Sequence, residues 1–215
     1  MKIMKNLRPA DWSLYLVADL KFIGSRDVLD VIRQAVEGGV TAVQLRAKDI
    51  DAKRYIELSR QAAALLNPPQ IPLIINDFIN VALACNAAGV HLGQEDLPLP
   101  SARKVLGDEK IIGISVSRVE EALEAERGGA DYVGAGPVFA TTSKETTLPA
   151  IGLEGIRTMR EKINIPIIAI GGITEQNAMS VIEAGASGIA VISAILSEKN
   201  VRDASQRLLR ALRRA

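Results

Sequence analysis

The sequence predicts an α/β fold of the (β/α)8 TIM-barrel class, on three observations. Short β-branched runs recur eight times along the chain, helix-forming stretches separate them, and the strand runs are apolar on both faces. A strand that is apolar on both faces belongs in a parallel sheet covered by helices.

The strand runs are LYLVA at 14–18, VTAVQL at 40–45, PLIIN at 72–76 and GVHLG at 89–93, then KIIGISV at 110–116, DYVGAG at 131–136, IPIIAIGG at 165–172 and SGIAVIS at 187–193. Between them lie stretches with 3.6-residue spacing, among them DVLDVIRQAVEGG, DAKRYIELSRQAAALL, VEEALEAERGGA and VRDASQRLLRALRRA. Four junctions, EGGVTAV, NAAGVHL, RGGADYV and EAGASGI, read as helices stopped by Gly39, Gly89, Gly129 and Gly185. Glycine suits that place because it enters the left-handed region without strain. Eight units in 215 residues leave about 27 residues each, a compact barrel. A doubly wound open sheet competes, but the first strand is followed by no GxGxxG fingerprint. Residues 1–215 are therefore expected to form one barrel domain.

Composition narrows the function classes. Aromatic residues make up only 3% of the chain, so the core is expected to consist of Ile, Val, Leu and Ala. Twenty-six basic residues against twenty-five acidic ones give no electrostatic case for a nucleic-acid or membrane-surface partner. The one cysteine, Cys85, rules out an internal disulfide or a cysteine-rich metal site, and is expected as a small core residue. The N-terminal MKIMKNLRPADW has no apolar stretch behind its charges, and no apolar run reaches the roughly 18 residues of a membrane span. A cytoplasmic protein is the expectation, with a homo-oligomer left open.

Barrel active sites lie at the carboxyl ends of the strands, so the polar residues there carry the functional reading. In VQLRAK, Gln44, Arg46 and Lys48 alternate with Val43, Leu45 and Ala47, and period two puts the three polar side chains on one face. A basic pair with no alternating acid is expected to meet an anion. Asn76 and Asp77 end the third strand, and His91, Gln94 and Asp96 follow along and after the fourth. Either aspartate alone would be read as a helix cap. Together they form a two-carboxylate set suited to one Mg²⁺ with waters and phosphate oxygens. His91, the sole histidine, reads as structural. Ser115 ends the fifth strand. Residues 137–149, which carry Thr141, Thr142, Ser143 and Lys144, form a long loop expected to act as a lid. Gly171 and Gly172, with Ile192, Ser193 and the short SAIL helix start, suggest a phosphate pocket after strands seven and eight. Two anion sites side by side imply two phosphorylated ligands.

VQLRAK, NDFINVALACNAAGVHLGQEDL, IIGIS, DYVGAGPVF with TTSK, IPIIAIGGIT and GIAVISAI resemble, in order and spacing, the thiamine phosphate synthases, over about residues 14 to 210. The resemblance implies a transferase on an (α/β)8 barrel. Such an enzyme joins 4-amino-5-hydroxymethyl-2-methylpyrimidine diphosphate to 4-methyl-5-(2-phosphoethyl)thiazole, with release of pyrophosphate. It implies Gln44, Arg46, Lys48 and Asn76 as contacts to the pyrimidine diphosphate, with Ser115 near the pyrophosphate and the pyrimidine. Asp77 and Asp96 are implied as Mg²⁺ ligands. Thr141, Ser143, Gly172, Ile192 and Ser193 are implied around the thiazole phosphate, with Lys144 on the pyrophosphate. Arg46, Lys48, Ser115 and Lys144 make up the implied catalytic group.

Ala140 stands where that family usually has proline, and Glu145, Thr146 and Thr147 depart from its acidic pattern after the lysine. Three other readings compete. Thiazole tautomerases share much of this sequence, but the resemblance implies a histidine where this chain has Ser117. A non-catalytic phosphoryl-ligand sensor has no use for Asp77, Asp96 and Arg46 together. A phospho-sugar isomerase needs a second acid/base group beside Asp96.

Overall fold

The computed structural model describes residues 11–68, 70–141, 143 and 148–213. Eight parallel strands close into a barrel in sequence order: β1 (Leu14–Asp19), β2 (Ala42–Arg46), β3 (Leu73–Asn76), β4 (Gly89–Leu92), β5 (Ile111–Val116), β6 (Tyr132–Ala135), β7 (Ile167–Ile170) and β8 (Gly188–Val191). β1 pairs with both β2 and β8, so the sheet has no free edge. Each run read as a strand overlaps one, with β1 and β2 extending one residue past their runs, and every residue of β1, β3 and β8 is buried. The doubly wound alternative is excluded by closure.

Helices form the outer ring because their apolar stripes have the sheet's outer face to cover. Helix Val201–Leu212 buries Val201, Ala204, Ser205 and Leu208 and packs on helix Val28–Glu37, which joins the two ends of the ring. Gly38 permits that contact, since a Cβ there would lie 2.5 Å from both Arg202 O and Ser205 Cβ.

Three of the four junction glycines have the expected positive φ: Gly39 at 99°, Gly129 at 85° and Gly185 at 106°. Gly89 does not. There the left-handed residue is Asn86, at 52°, and Gly89 already opens β4. Its task is close approach, because a Cβ would lie 2.0 Å from Ile111 O on the neighbouring strand.

The expectation of a purely aliphatic core needs correction along the barrel axis. The largest fully buried side chains are Tyr15, Tyr55 and Tyr132. Trp12, Tyr15 and Tyr132 cluster at the floor, with ring centroids 4.6 Å apart for Trp12–Tyr132 and 5.7 Å for Trp12–Tyr15. Eight short strands leave an interior that must be filled by side chains, and a few large rings fill it where neighbouring strands carry glycine. Gly113 on β5 is one of these, since a Cβ there would lie 2.0 Å from Cζ of Tyr132. Gly134 on β6 similarly clears the His91 ring, 2.8 Å from its would-be Cβ. Cys85 is buried, as expected.

Gly113→Ala should therefore overpack the axis at a cost of about 1–3 kcal/mol. Calorimetry should show a melting temperature lower by roughly 2–4 °C per kcal/mol for a chain of this size. An unchanged melting temperature would show that the Tyr132 ring can move aside.

Candidate active site

A cavity of about 380 Å³ opens at the carboxyl ends of the strands. Gln44, Arg46, Lys48, Asn76, Asp77, Asp96, Ser115, Thr141, Ser143, Gly172, Ile192 and Ser193 all line it. Lys144 and Thr142 lie outside the described residues.

On one wall, β2 delivers Gln44 and Arg46 on its inward face, and Lys48 follows on the rim. Arg46 is not the unopposed cation that alternation along one strand suggested. It pairs with Asp19, its register partner on β1. Asp19 is 3% exposed, and its other carboxylate oxygen accepts a hydrogen bond from Lys21 N at 2.9 Å. One carboxylate thus ends the strand, caps the next turn and holds the guanidinium in place.

β3 ends in buried Asn76, after which the chain turns sharply at Asp77. Phe78 N donates to Asn76 O at 2.8 Å across Asp77, whose φ is 64°. This is a γ-type turn in a region that non-glycine residues seldom occupy. Asp77 N donates to His91 O at 2.9 Å, which secures the turn to β4. Asp77 and Asp96 do not cap helices: the following helices begin at Ile79 and Leu99, and their N-cap residues, Phe78 and Pro98, make no side-chain cap bond. Asp96 instead accepts from Gly93 N at 2.6 Å. Burial first, and then the adjoining Asp96 carboxyl, push Asp77 above the usual carboxylate range, with Lys48 and Arg46 opposing. Lys48 Nζ lies 3.7 Å from Asp77. No group of three His, Cys, Asp or Glu side chains able to hold a metal occurs among the described residues. The donor set is two hard, mutually repelling carboxylates at a cavity mouth. It fits Mg²⁺ held by one or two carboxylates with phosphate oxygens and water completing the shell.

On the opposite wall, the loop after β6 is pinned at its start. Val138 N donates to Ile170 O at 2.9 Å and Phe139 N to Gly171 O at 3.0 Å. Residues 137–139 therefore belong to the barrel rim, and a lid can start only beyond them. Gly171 (φ 101°) and Gly172 (φ 65°) are required by this crossing. A Cβ on Gly171 would lie 2.6 Å from Pro137 Cβ, and one on Gly172 2.6 Å from Ala140 O. Farther along, Ser143 Oγ donates to Ser193 Oγ at 2.8 Å, and Ser143 N to Thr141 Oγ1 at 3.2 Å. Three hydroxyls from loop and strand end thus gather beside Ile192.

The floor is polar, and sequence reading missed its two tyrosines, Tyr15 and Tyr132. Gln44 Nε2 donates to Tyr15 OH at 3.2 Å, Tyr15 OH meets Tyr132 OH at 3.1 Å, and Tyr132 OH meets His91 Nδ1 at 2.9 Å. His91 Nε2 then meets Ser115 Oγ at 2.9 Å. His91, read from the sequence as structural, lines the cavity. The available signal was Gly113 and Gly134, small residues placed within strands where rings need room. Ser117 also lines the cavity, and its N–H and hydroxyl both donate to Glu121, at 2.7 and 3.1 Å. Burial pushes the Glu121 carboxyl up, but the bonds from Ser117 and Arg118 outweigh it and leave it below the usual range.

Fold and site together define a TIM-barrel enzyme whose cavity has a wall of cations and carboxylates facing a wall of hydroxyls. The family model for thiamine monophosphate synthase (TMP-TENI) matches residues 14–195. Thiamine-phosphate synthase of Clostridium novyi is 47% identical over 198 residues, covering 92% of this chain and 97% of that protein. The Shouchella clausii thiamine-phosphate synthase is 48% identical over 202 residues, covering 94% and 97%. The solved thiamine phosphate pyrophosphorylase of Pyrococcus furiosus superposes with a TM-score of 0.87 at 39% identity, covering 95% of this chain and 97% of that one. The chain belongs to the thiamine monophosphate synthase family, and it is a transferase. Among the described residues no helix is long and apolar enough to cross a membrane.

The turn at Asp77 yields a prediction. Asparagine tolerates the same positive φ, and Asp77→Asn removes one of two facing carboxylates. A carboxyl held above its unfolded pKa contributes stability below the unfolded value, and that contribution is lost as pH rises through the folded value. Near neutral pH in EDTA, Asp77→Asn should melt higher by about 2–4 °C, the shift for about 1 kcal/mol in a chain of this size. At pH below the carboxylate range the gain should vanish. A variant that melts no higher near neutrality would show that the pair is already relaxed by Lys48.

Proposed function

We propose that this chain condenses 4-amino-5-hydroxymethyl-2-methylpyrimidine diphosphate with 4-methyl-5-(2-phosphoethyl)thiazole to give thiamine monophosphate and pyrophosphate. The observation that carries the proposal is the meeting of two differently built walls in one cavity: Gln44, Arg46, Lys48, Asp77 and Asp96 on one side, Thr141, Ser143 and Ser193 on the other. The name borne by the relatives supports the same reading.

In this reading the bond between the pyrimidine methylene carbon and the diphosphate oxygen breaks first, and its electron pair leaves with pyrophosphate. The resulting pyrimidine-methyl cation is stabilised by the ring amino group. The thiazole nitrogen lone pair then forms the new C–N bond. No proton need be removed from the attacking nitrogen, so the protein's work is electrostatic and positional. Arg46, pre-aimed by Asp19, and Lys48 neutralise charge that builds on the leaving group. Asn76, Gln44 and Ser115 orient the pyrimidine. Thr141, Ser143, Ser193 and backbone amides near Gly172 and Ile192 hold the thiazole phosphate, a handle that hydroxyls grip without changing protonation. Asp77 and Asp96 would hold one Mg²⁺, whose chemistry there is to offset pyrophosphate charge. Lys144, outside the described residues, is assigned to the pyrophosphate on the resemblance alone.

The thiazole tautomerase reading requires an acid/base at Ser117, and Ser117 is bound to Glu121.

The deciding experiment mixes purified protein with both substrates and Mg²⁺, scoring thiamine monophosphate and pyrophosphate together. Product dependent on all three additions is expected, and thiazole phosphate binding without product would overturn the reaction. Ser193→Ala should raise KM for the thiazole phosphate about tenfold, the loss of one hydrogen bond to a charged group, while KM for the pyrimidine diphosphate stays within about twofold. Equal effects on both substrates would remove Ser193 from the thiazole subsite. Lys144→Ala should lower turnover by about tenfold or more, and unchanged turnover would remove it from the mechanism.

A further inference from the structure

The hydrogen-bond chain at the barrel floor has a direction, and that direction reaches the site. Tyr15 and Tyr132 are 1% and 0% exposed, so their hydroxyls have only each other and the neighbouring side chains as partners. Burial pushes both phenols well above their usual pKa, so both remain protonated. Each hydroxyl has one proton to give. The amide nitrogen of Gln44, not its oxygen, faces Tyr15 OH, so Tyr15 accepts there. Its own proton is then available to Tyr132 OH, its other partner at 3.1 Å. Tyr132, accepting from Tyr15, must donate onward, and its remaining partner is His91 Nδ1. A histidine that accepts at Nδ1 carries its proton at Nε2, because neutral imidazole has one donor and one acceptor nitrogen. His91 Nε2–H therefore donates to Ser115 Oγ.

We propose that His91 is a positioning residue, held by Tyr132 as the Nε2–H tautomer, which makes Ser115 Oγ an acceptor from below and commits the Ser115 proton to the ligand in the cavity. The chain begins at Gln44 and ends at Ser115, which come from β2 and β5 on different sides of the same cavity, so the orientation of one is tied to the other. The inference rests on the pyrimidine diphosphate reading only for what Ser115 contacts; the tautomer itself can be read without substrate. Ser115 is further fixed by its carbonyl, which accepts from Gln94 Nε2 at 2.6 Å. Its hydroxyl is thus a directed donor, where an isolated serine rotor would point either way.

The test uses the untagged, ¹⁵N-labelled chain, in which His91 is the only histidine, so its ring nitrogens are assigned without ambiguity. A long-range ¹H–¹⁵N spectrum near neutral pH, without substrate, should show one protonated nitrogen, Nε2, and one unprotonated nitrogen, Nδ1. An Nδ1–H tautomer, a doubly protonated ring or a mixture of tautomers would overturn the proposal. Kinetics then test whether the chain acts through Ser115. Tyr132→Phe keeps the ring that fills the axis but removes the donor to Nδ1. It should lower kcat about fivefold in the otherwise native enzyme, and less than about twofold in a Ser115→Ala background, the non-additivity of residues acting in one network. Throughout, KM for the thiazole phosphate should hold within about twofold. The same loss in both backgrounds would show that Tyr132 matters only for packing and would overturn the relay. The native spectrum decides the tautomer even if Tyr132→Phe does not fold. Absence of the proposed reaction would show in the product assay and leave the spectrum unaffected.

Discussion

Two phenol hydroxyls buried on the barrel axis constrain much of what surrounds them. Strands of four to six residues, lined by Gly113, Gly134, Gly188 and Ala190, leave an interior that aliphatic side chains do not fill. Trp12, Tyr15 and Tyr132 fill it, but each tyrosine brings a polar group into a place without bulk water. A buried hydroxyl left without a partner costs about 1–3 kcal/mol. Tyr15 and Tyr132 satisfy part of that demand with each other. The remainder is met by Gln44 and His91, which face the cavity. The packing solution at the floor and the polar surface of the site are consequently one set of residues, and neither can be altered alone.

Above that polar floor the charges are arranged by height. Gln44, Asn76, Ser115 and His91 line the deeper cavity, whereas Arg46, Lys48, Asp77 and Asp96 stand at the mouth. Asp19 completes this gradient from behind. It is nearly buried, accepts from a backbone amide and grips Arg46, so the guanidinium is held at the rim instead of folding back over the axis. A ligand matching this gradient carries an uncharged polar ring at one end and an anionic group at the other. The hydroxyl wall across the cavity has no lysine or arginine among its described residues, so the second anion subsite proposed there differs in build from the first and would compete less with it for the same anion.

The strands were legible because a parallel sheet covered on both sides admits little but apolar residues, and the eight runs say so directly. Gln44, Arg46 and Lys48 were legible for the complementary reason: period-two polarity in such a strand has only the barrel interior to face. Asp19 escaped because its meaning comes from register. It ends an apolar run 27 positions before Arg46, and only pairing between β1 and β2 brings them together. Tyr132 escaped because a low aromatic fraction says nothing of where the few rings sit. Gly89 was assigned the wrong task for a related reason. A helix stop can use Asn86 as readily as glycine, and the close contact with Ile111 is a long-range fact. Gly171 and Gly172 drew notice as phosphate-binding residues, and the constraint visible on them is the crossing of residues 137–140.

The position of the one histidine separates this site from proton-transfer chemistry on the same fold. An acid/base catalyst has to exchange a proton with substrate, so it needs a ring nitrogen within reach of the reacting atoms. His91 has one nitrogen against Tyr132 and the other against Ser115, and in the proposed relay it acts on the cavity through that serine. Ser117, where a tautomerase would carry histidine, is bound to a carboxylate in the first turn of the next helix. A reaction whose nucleophile is a nitrogen with a free lone pair needs neither group as a base. It needs a leaving group stabilised by fixed charge and a ring held in one orientation. In the proposed reaction Arg46 backed by Asp19 would supply the first, and the proposed chain of hydroxyls ending at Ser115 the second.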